Sequence, residues 1–262
     1  MVGEALARVR AEAPVIHNIT NYVVMNTTAN ALLAVGASPV MAHSEREVED
    51  MVGLARALVI NIGTLSDPWI AAMILAGRAA RGRGIPVVLD PVGAGATSYR
   101  TTSAHRLIAE AAPTIIRGNA SEIRALAAKP GAPRGVDSVH GTAEAIDAAR
   151  ELSERYGCVV SVSGATDIIV SGSKLARVRN GVALMTRVTG MGCTASALTG
   201  AFAAVEASPF LAATHAMVVL GVAGELAGDA CTGPGSFQVA LLDALATLDS
   251  EKLDRRARVE GA

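Results

Sequence analysis

One segment of this sequence combines glycines with the start of a helical pattern, an arrangement suited to binding an anion. It runs Thr189-Gly190-Met191-Gly192-Cys193-Thr194-Ala195, after a strand-like run and before a long apolar helix. Glycines let the backbone approach a ligand closely, and the free N–H groups at a helix start favour a phosphate. A tight turn without a ligand is the simpler alternative.

Two further segments place charged residues at the ends of apolar runs. Asp90 ends one run and opens the glycine-rich loop Pro91–Thr97, while Arg117–Glu122 ends another. Carboxylates suit a water-rich Mg²⁺ site, and arginine pairs with phosphate oxygens. The alternatives are an aspartate that caps a turn and an ordinary capping box formed by Asn119 and Glu122. Together with the glycine segment, these residues predict a phosphoryl-transfer site.

Two common nucleotide-binding motifs do not fit. The spacing Gly190-x-Gly192-x-x-Ala195 matches the dinucleotide fingerprint, but the following sequence is helical and lacks a second strand ending in an acid. The P-loop consensus is absent. A Rossmann dehydrogenase is therefore disfavoured, and a P-loop enzyme is excluded.

The elements that must position these residues alternate between strand-like and helical patterns, which predicts a parallel sheet covered by helices on both faces. The predicted strands are Pro14–His17, Ser38–Ala42, Ala57–Ile62, Pro86–Asp90, Thr114–Arg117 and Cys158–Ser163. Short strands at Asp167–Ser171, Lys174–Val178 and Ala183–Val188 predict an antiparallel edge, and three helices are expected to follow to the C-terminus.

Local signals refine this prediction. Ser44–Glu47 has the pattern of a capping box, and Asp67-Pro68 indicates a cap before a proline in the first helical position. We expect Lys129–Gly141 to be a mobile surface loop. The apolar stretch Ala207–Gly224 approaches the length of a membrane span, but we interpret it as a buried core helix.

Composition limits the class of protein. Of 262 residues, 51% are apolar and 3% aromatic, enough aliphatic surface for a large core, and we expect one domain over residues 1–262. The net charge of −1 argues against binding nucleic acid or an anionic membrane. Three cysteines without a C-x-x-C pair favour a reducing cytoplasm over a disulfide framework or a structural zinc site.

Six segments together resemble the hydroxyethylthiazole kinase family of thiamine biosynthesis. They are Ile16–Val24, Ala37–Ala42, Asn61–Leu65, Asp90–Ala94, Arg117–Glu122 and Val188–Cys193. The resemblance implies a ribokinase-like α/β fold of three αβα layers. It also implies ATP-dependent phosphorylation of the alcohol of 4-methyl-5-(2-hydroxyethyl)thiazole with Mg²⁺, by a homotrimer whose active sites lie between subunits.

The resemblance also implies a role for each matching residue. Cys193 matches the catalytic position, and Asp90 and Glu122 match the positions that organise Mg²⁺. The positions matching substrate contacts are Met41, Gly190, Asn21 and Val23, and those matching ATP contacts are Arg117, Ser163 and Gly192. Few aromatic residues are available, so we expect Met41, Val23 and aliphatic neighbours to hold the thiazole ring.

Cysteine at position 193 separates this family from most ribokinase-like kinases, which have an aspartate base there. A thiol is a weak base at neutral pH, and ATP's negative charge raises its pKa, so we expect positioning and charge neutralisation to dominate catalysis. Three alternatives remain: a kinase for a pyrimidine alcohol or sugar, an ATP-consuming lyase that repairs hydrated nicotinamide cofactors, and a nucleotide sensor without catalysis. Asn18–Val24 and Cys193 favour the thiazole alcohol.

Overall fold

The computed structural model describes residues 1–128 and 141–261. Its strands are β1 (Val15–Ile19), β2 (Ser38–Val40), β3 (Ala57–Asn61), β4 (Val87–Asp90), β5 (Ile115–Asn119), β6 (Val159–Ser163), β7 (Asp167–Ser171), β8 (Lys174–Val178) and β9 (Val259–Glu260). Its helices are α1 (Val2–Glu12), α2 (Met25–Ala34), α3 (Val48–Leu54), α4 (Asp67–Arg83), α5 (Ser98–Ala111), α6 (Ala120–Ala127), α7 (Gly141–Tyr156), α8 (Met191–Ala203), α9 (Pro209–Ala230), α10 (Pro234–Thr247) and α11 (Ser250–Arg256).

The strands form one mixed sheet in the order β2-β1-β3-β4-β5-β6-β7-β8-β9. The six strands β1 to β6 are parallel, while β7, β8 and β9 pair antiparallel at one edge. Alternate strand residues enter two apolar cores, as the period of a strand requires. Val59 packs on the side of α8 and α9, and its neighbour Ile60 packs on the side of α4 and α5. The predicted layered α/β fold with an antiparallel edge is confirmed.

Helix α9 fits the prediction for the long apolar stretch. It is long and apolar enough to cross a membrane, but most of that length is buried inside the protein. It packs against α8 and α10, so its apolar surface faces other parts of the core. We interpret it as a core helix.

The strand predicted at Ala183–Val188 is wrong, because Ala183–Arg187 forms a 3₁₀ helix. This 3₁₀ helix packs against α9. A Cβ added at Gly224 of α9 would lie 2.6 Å from the sulfur of Met185 in the 3₁₀ helix. The C-terminal strand β9 instead pairs with the free edge of β8. The prediction of three helices after this point is also wrong, because four helices, α8 to α11, follow and are succeeded by β9.

The capping predictions had different outcomes. Asn119 caps α6, and its capping box with Glu122 is present. The capping box predicted at Ser44–Glu47 is wrong, because α3 begins at Val48 and the Ser44 hydroxyl accepts a hydrogen bond from Arg46 N–H at 3.3 Å within a turn. Helix α4 begins at Asp67 with Ser66 as its cap, one residue before the predicted cap. Of the predicted loop Lys129–Gly141, residues 129–140 lie outside the described residues.

Candidate active site

A row of polar side chains crosses the four neighbouring strands β3, β4, β5 and β6 on the face covered by α8. The row consists of Asn61, Asp90, Arg117 and Ser161, and each side chain is buried. Asn18 of β1 is buried on the same face but lies opposite Val59, two residues before the row. The residue two positions before each member of the row belongs to the apolar core beneath α8 and α9. Each strand therefore changes from apolar to polar on this face near its carboxyl end, where parallel α/β sheets bind ligands.

The start of α8 lies above this row. Gly190 caps the helix with φ +82°, and a Cβ there would lie 2.6 Å from Val24 Cγ1. The first intrahelical hydrogen bond runs from Thr194 N–H to the Gly190 carbonyl at 2.8 Å, so the preceding N–H groups remain available for an anion. A Cβ at Gly192 would lie 3.5 Å from Arg117 Nη1, which brings the basic side chain to the helix start.

Asp90 is the acidic residue of the row, and it accepts two side-chain hydrogen bonds. Its Oδ2 accepts hydrogen bonds from Asn61 Nδ2 at 2.8 Å and from the Ser196 hydroxyl at 2.7 Å. Burial raises the pKa of the Asp90 carboxyl to about 6, although the positive charge of Arg117 opposes this shift. The Asp90 carboxyl is therefore ionised at neutral pH. Keeping this charge buried costs free energy unless a further cation lies beside it.

Arg117 is a buried cation with unused hydrogen-bonding capacity. Its side chain is 5% exposed in the chain, and its Nε has no hydrogen-bond partner within the described residues. Buried charged groups are normally paired and hydrogen-bonded, because desolvation is costly. The guanidinium next to Gly192 is therefore suited to an anionic ligand.

Glu122 has a structural partner for each carboxylate oxygen. Oε1 accepts from Gly93 N–H at 2.8 Å, and Oε2 accepts from Asn119 N–H at 2.7 Å. The side chain thereby joins the loop after β4 to the start of α6. It lies near enough to Asp90 for its negative charge to raise the pKa of that carboxyl.

Cys193 lies at the edge of the polar row. Its sulfur accepts a hydrogen bond from Asn21 Nδ2 at 3.5 Å, and the same amide donates to Asn61 Oδ1 at 2.9 Å. Burial, followed by the negative charge of Asp90, raises the pKa of the Cys193 thiol to about 11. The structure therefore brings Cys193, Asn21 and Asp90 into one network in which the thiol stays protonated at neutral pH.

The predicted substrate contacts extend from this network towards the surface. Asn21 is buried, but Val23 is 65% exposed, and Met41 lies on the neighbouring segment after β2. Aromatic rings join the two segments, with the Trp69 centroid 4.9 Å from that of Tyr22 and 4.6 Å from that of His43. The structure thus places aromatic as well as aliphatic side chains near Met41 and Val23.

Ser163 ends β6 beside Asn119 of β5. Its hydroxyl donates to the Gly118 carbonyl at 3.4 Å, and the next residue, Gly164, donates its N–H to Asp167 Oδ1 at 3.0 Å. The structure therefore places Ser163 two strand positions beyond the buried Ser161, at the open end of the sheet.

Sequence reasoning missed Asn61 and Ser196. Asn61 ends the apolar strand β3, the same signal that identified Asp90 in β4, and could have been found by that rule. Ser196 lies three residues after Cys193 in α8, which places both on one helix face.

The chain matches a family model over nearly its whole length. Residues 6–251 match the model of the Hydroxyethylthiazole kinase family. A hydroxyethylthiazole kinase of Syntrophus aciditrophicus (strain SB) is 57% identical over 256 residues, covering 97% of this chain and 95% of the relative. One of Leptospira biflexa (strain Patoc 1 / Ames) is 54% identical over 253 residues, covering 97% and 95%.

Two solved structures resemble this chain to different degrees. The structure of hydroxyethylthiazole kinase protein from Pyrococcus horikoshii OT3 has a TM-score of 0.92 at 45% identity, covering 99% of this chain and 98% of that one. A pyridoxal kinase from Staphylococcus aureus has a TM-score of 0.61 at 15% identity, covering 81% and 87%, a likeness that supports the ribokinase-like fold alone. Because the family model covers residues 6–251 and both relatives match along 97% of its length, this chain belongs to the hydroxyethylthiazole kinase family.

Proposed function

We propose that this protein transfers the γ-phosphoryl group of ATP to the primary alcohol of 4-methyl-5-(2-hydroxyethyl)thiazole, as a step of thiamine biosynthesis or salvage. Family membership supports the acceptor. The observation that carries the proposal is the buried, incompletely hydrogen-bonded Arg117 facing the start of α8, because this pairing suits a polyphosphate.

A coupled ADP-release assay tests the proposal. The thiazole alcohol, a hydroxymethylpyrimidine and ribose are supplied separately with ATP and Mg²⁺. We expect the thiazole alcohol to give the highest kcat/KM. Faster turnover of the pyrimidine or the sugar would reassign the acceptor, and ATP binding without ADP formation from any acceptor would support a sensor.

The chain's own residues divide the work at the nucleotide. Arg117 pairs with phosphate oxygens, the N–H groups around Gly192 cradle the transferred group, and Ser163 contacts the nucleotide at the end of β6. Phosphoryl transfer proceeds through a loose transition state, so positioning and charge neutralisation supply most of the rate enhancement.

Asp90 and Glu122 would hold Mg²⁺ through its water molecules. Within residues 1–128 and 141–261, no group of three or more His, Cys, Asp or Glu side chains is arranged to hold a metal ion. The two carboxylates of Asp90 and Glu122 fit Mg²⁺, which keeps several waters and uses one or two carboxylates together with substrate phosphates. The bound ion would neutralise charge on the β- and γ-phosphates.

Cys193 positions the acceptor and does not act as a strong base. A thiol with a pKa of about 11 holds its proton at neutral pH. The acceptor oxygen attacks the γ-phosphorus, the bond to the bridging oxygen of ADP breaks, and the hydroxyl proton leaves late to an oxygen of the transferred phosphoryl group. The Asn21 amide donates a hydrogen bond to the Cys193 sulfur at 3.5 Å, which orients the thiol.

We expect Cys193→Ala to lower kcat by less than tenfold, because a protonated thiol contributes little as a base. Steady-state kinetics at pH 8 measure this change. Cys158→Ala is the matched control: it removes a buried thiol from the core, so we expect a lower melting temperature with unchanged kcat. A complete loss of turnover in Cys193→Ala, with substrate binding and stability retained, would contradict this role.

The acid limb of the pH profile of kcat/KM should follow the ionisation of the Asp90 carboxyl. Only the ionised carboxylate attracts a cation, so we expect activity to fall as the pH decreases through about 6. ATP titrates in a similar range, but Ser196→Ala separates the two. Its hydroxyl lowers the pKa of Asp90, so removing it should move the acid limb to higher pH. An acid limb at the same pH in both proteins would assign it to ATP.

The assembly is proposed to be a homotrimer with active sites between subunits. Tyr22 is 64% and Val23 is 65% exposed, although the adjacent Asn21 belongs to the buried network. A second copy covering this segment would complete the wall around the thiazole ring. Light scattering measures the mass in solution; a trimeric mass is expected, and a monomer with full activity would overturn the assignment.

We propose that the enzyme works in the cytoplasm. Cys158, Cys193 and Cys231 are all free thiols, as a reducing compartment favours. Detection of a tagged chain in the soluble cytoplasmic fraction tests this.

A further inference from the structure

Arg100, near the start of α5, uses its guanidinium on backbone oxygens. Nη1 donates to the carbonyls of Ile62 and Val92, both at 2.8 Å, and Nη2 donates to the Gly63 carbonyl at 3.0 Å. The planar fork of arginine holds these donors in a fixed geometry. One half-buried side chain thus joins the segment after β3 to the segment after β4.

These two segments directly follow residues of the polar row. Ile62 comes after Asn61, and Val92 lies two residues after Asp90. The side chains of Asn61 and Asp90 are themselves hydrogen-bonded at 2.8 Å. Movement of either segment would change the Asn61–Asp90 hydrogen bond. Arg100 therefore affects the geometry of the row although it is not a member of the row.

The loop after β4 is shaped around Arg100. Gly93 has φ +76°, and a Cβ there would lie 2.9 Å from Arg100 Cδ. The N–H of Gly93 donates to Glu122 Oε1 at 2.8 Å. Arg100 therefore also holds the backbone at Gly93 that binds the carboxylate of Glu122.

We propose that Arg100 is a positioning residue that holds the ends of β3 and β4 together, so that Asn61, Asp90 and Glu122 keep the geometry needed for phosphoryl transfer. This role rests on the proposed function. It requires no contact between Arg100 and either substrate.

The test compares Arg100→Met with Arg106→Met, a change of an exposed arginine on the same helix. In Arg100→Met we expect kcat to fall roughly 10- to 100-fold, as displaced catalytic groups do, with KM for both substrates within about threefold. Arg100→Lys should remain impaired, since an ammonium group lacks the fork. Hydrogen exchange of the unliganded protein should become faster at residues 62–64 and 92–95, and Arg106→Met should behave as wild type.

A kcat of Arg100→Met within twofold of wild type, per folded enzyme, would overturn the proposal even if its melting temperature falls. Equal losses in both variants would also overturn it. If the wild-type protein phosphorylates none of the three acceptors, the proposed function fails instead. The exchange experiment then still decides whether Arg100 holds the two segments.

Discussion

Asp90→Asn is expected to lower kcat about 1,000-fold at pH 8, because a neutral amide cannot attract the cation that balances the phosphate charge. The fold should survive, since the amide oxygen can still accept the hydrogen bonds from Asn61 and Ser196. Burial raises the pKa of Asp90 to about 6, so ionisation above that pH costs the folded state free energy. The melting temperature of the variant at pH 8 should therefore equal or exceed that of the wild type.

Ser196→Ala is the matched control for this experiment. It removes one hydrogen bond to Asp90 Oδ2 but leaves the negative charge, so we expect less than a tenfold loss of kcat at pH 8. Kinetics with saturating ATP and thermal melts of the three proteins provide the comparison. A kcat for Asp90→Asn above a tenth of the wild-type value would show that the charge is dispensable.

The sequence was most informative where buried strands end. An apolar run that stops at Asp90 or Arg117 indicates both a parallel strand and a polar group near its carboxyl end. In the structure Asp90 ends β4, while β5 continues two residues beyond Arg117 to Asn119. Asn61 obeys the same rule at the end of β3, although it carries no charge. Local pattern predicted these positions because strand period and burial are local properties.

Sequence was least informative where distant segments compete. Ala183–Val188 has an apolar pattern compatible with a strand, but the edge of β8 pairs with Val259–Glu260, about 80 residues later. Arg100 was missed for a related reason. Its partners are backbone carbonyls near positions 62 and 92, and carbonyls have no sequence signature.

Arg117→Met is expected to lower kcat/KM for ATP by about 1,000-fold, mostly through a higher KM. Methionine occupies a similar volume without the charge, so the buried space stays filled while the phosphate partner is lost. The same change removes the attraction that lowers the pKa of Asp90, so the acid limb of the pH profile should move to higher pH. Arg117→Lys should recover only part of the loss, because lysine cannot bind bidentately.

Arg124→Met separates loss of this charge from loss of an arginine in general. Arg124 lies on α6 in a partly exposed ion pair with Glu144 at 2.9 Å, and such pairs contribute little, so its kinetics should match wild type. Calorimetry should find the affinity of Arg117→Met for the thiazole alcohol within about threefold of wild type, because the proposed function assigns Arg117 to the phosphates of ATP and not to the acceptor. If kcat/KM for ATP falls less than tenfold, the phosphate charge is balanced elsewhere and the buried arginine serves the fold alone.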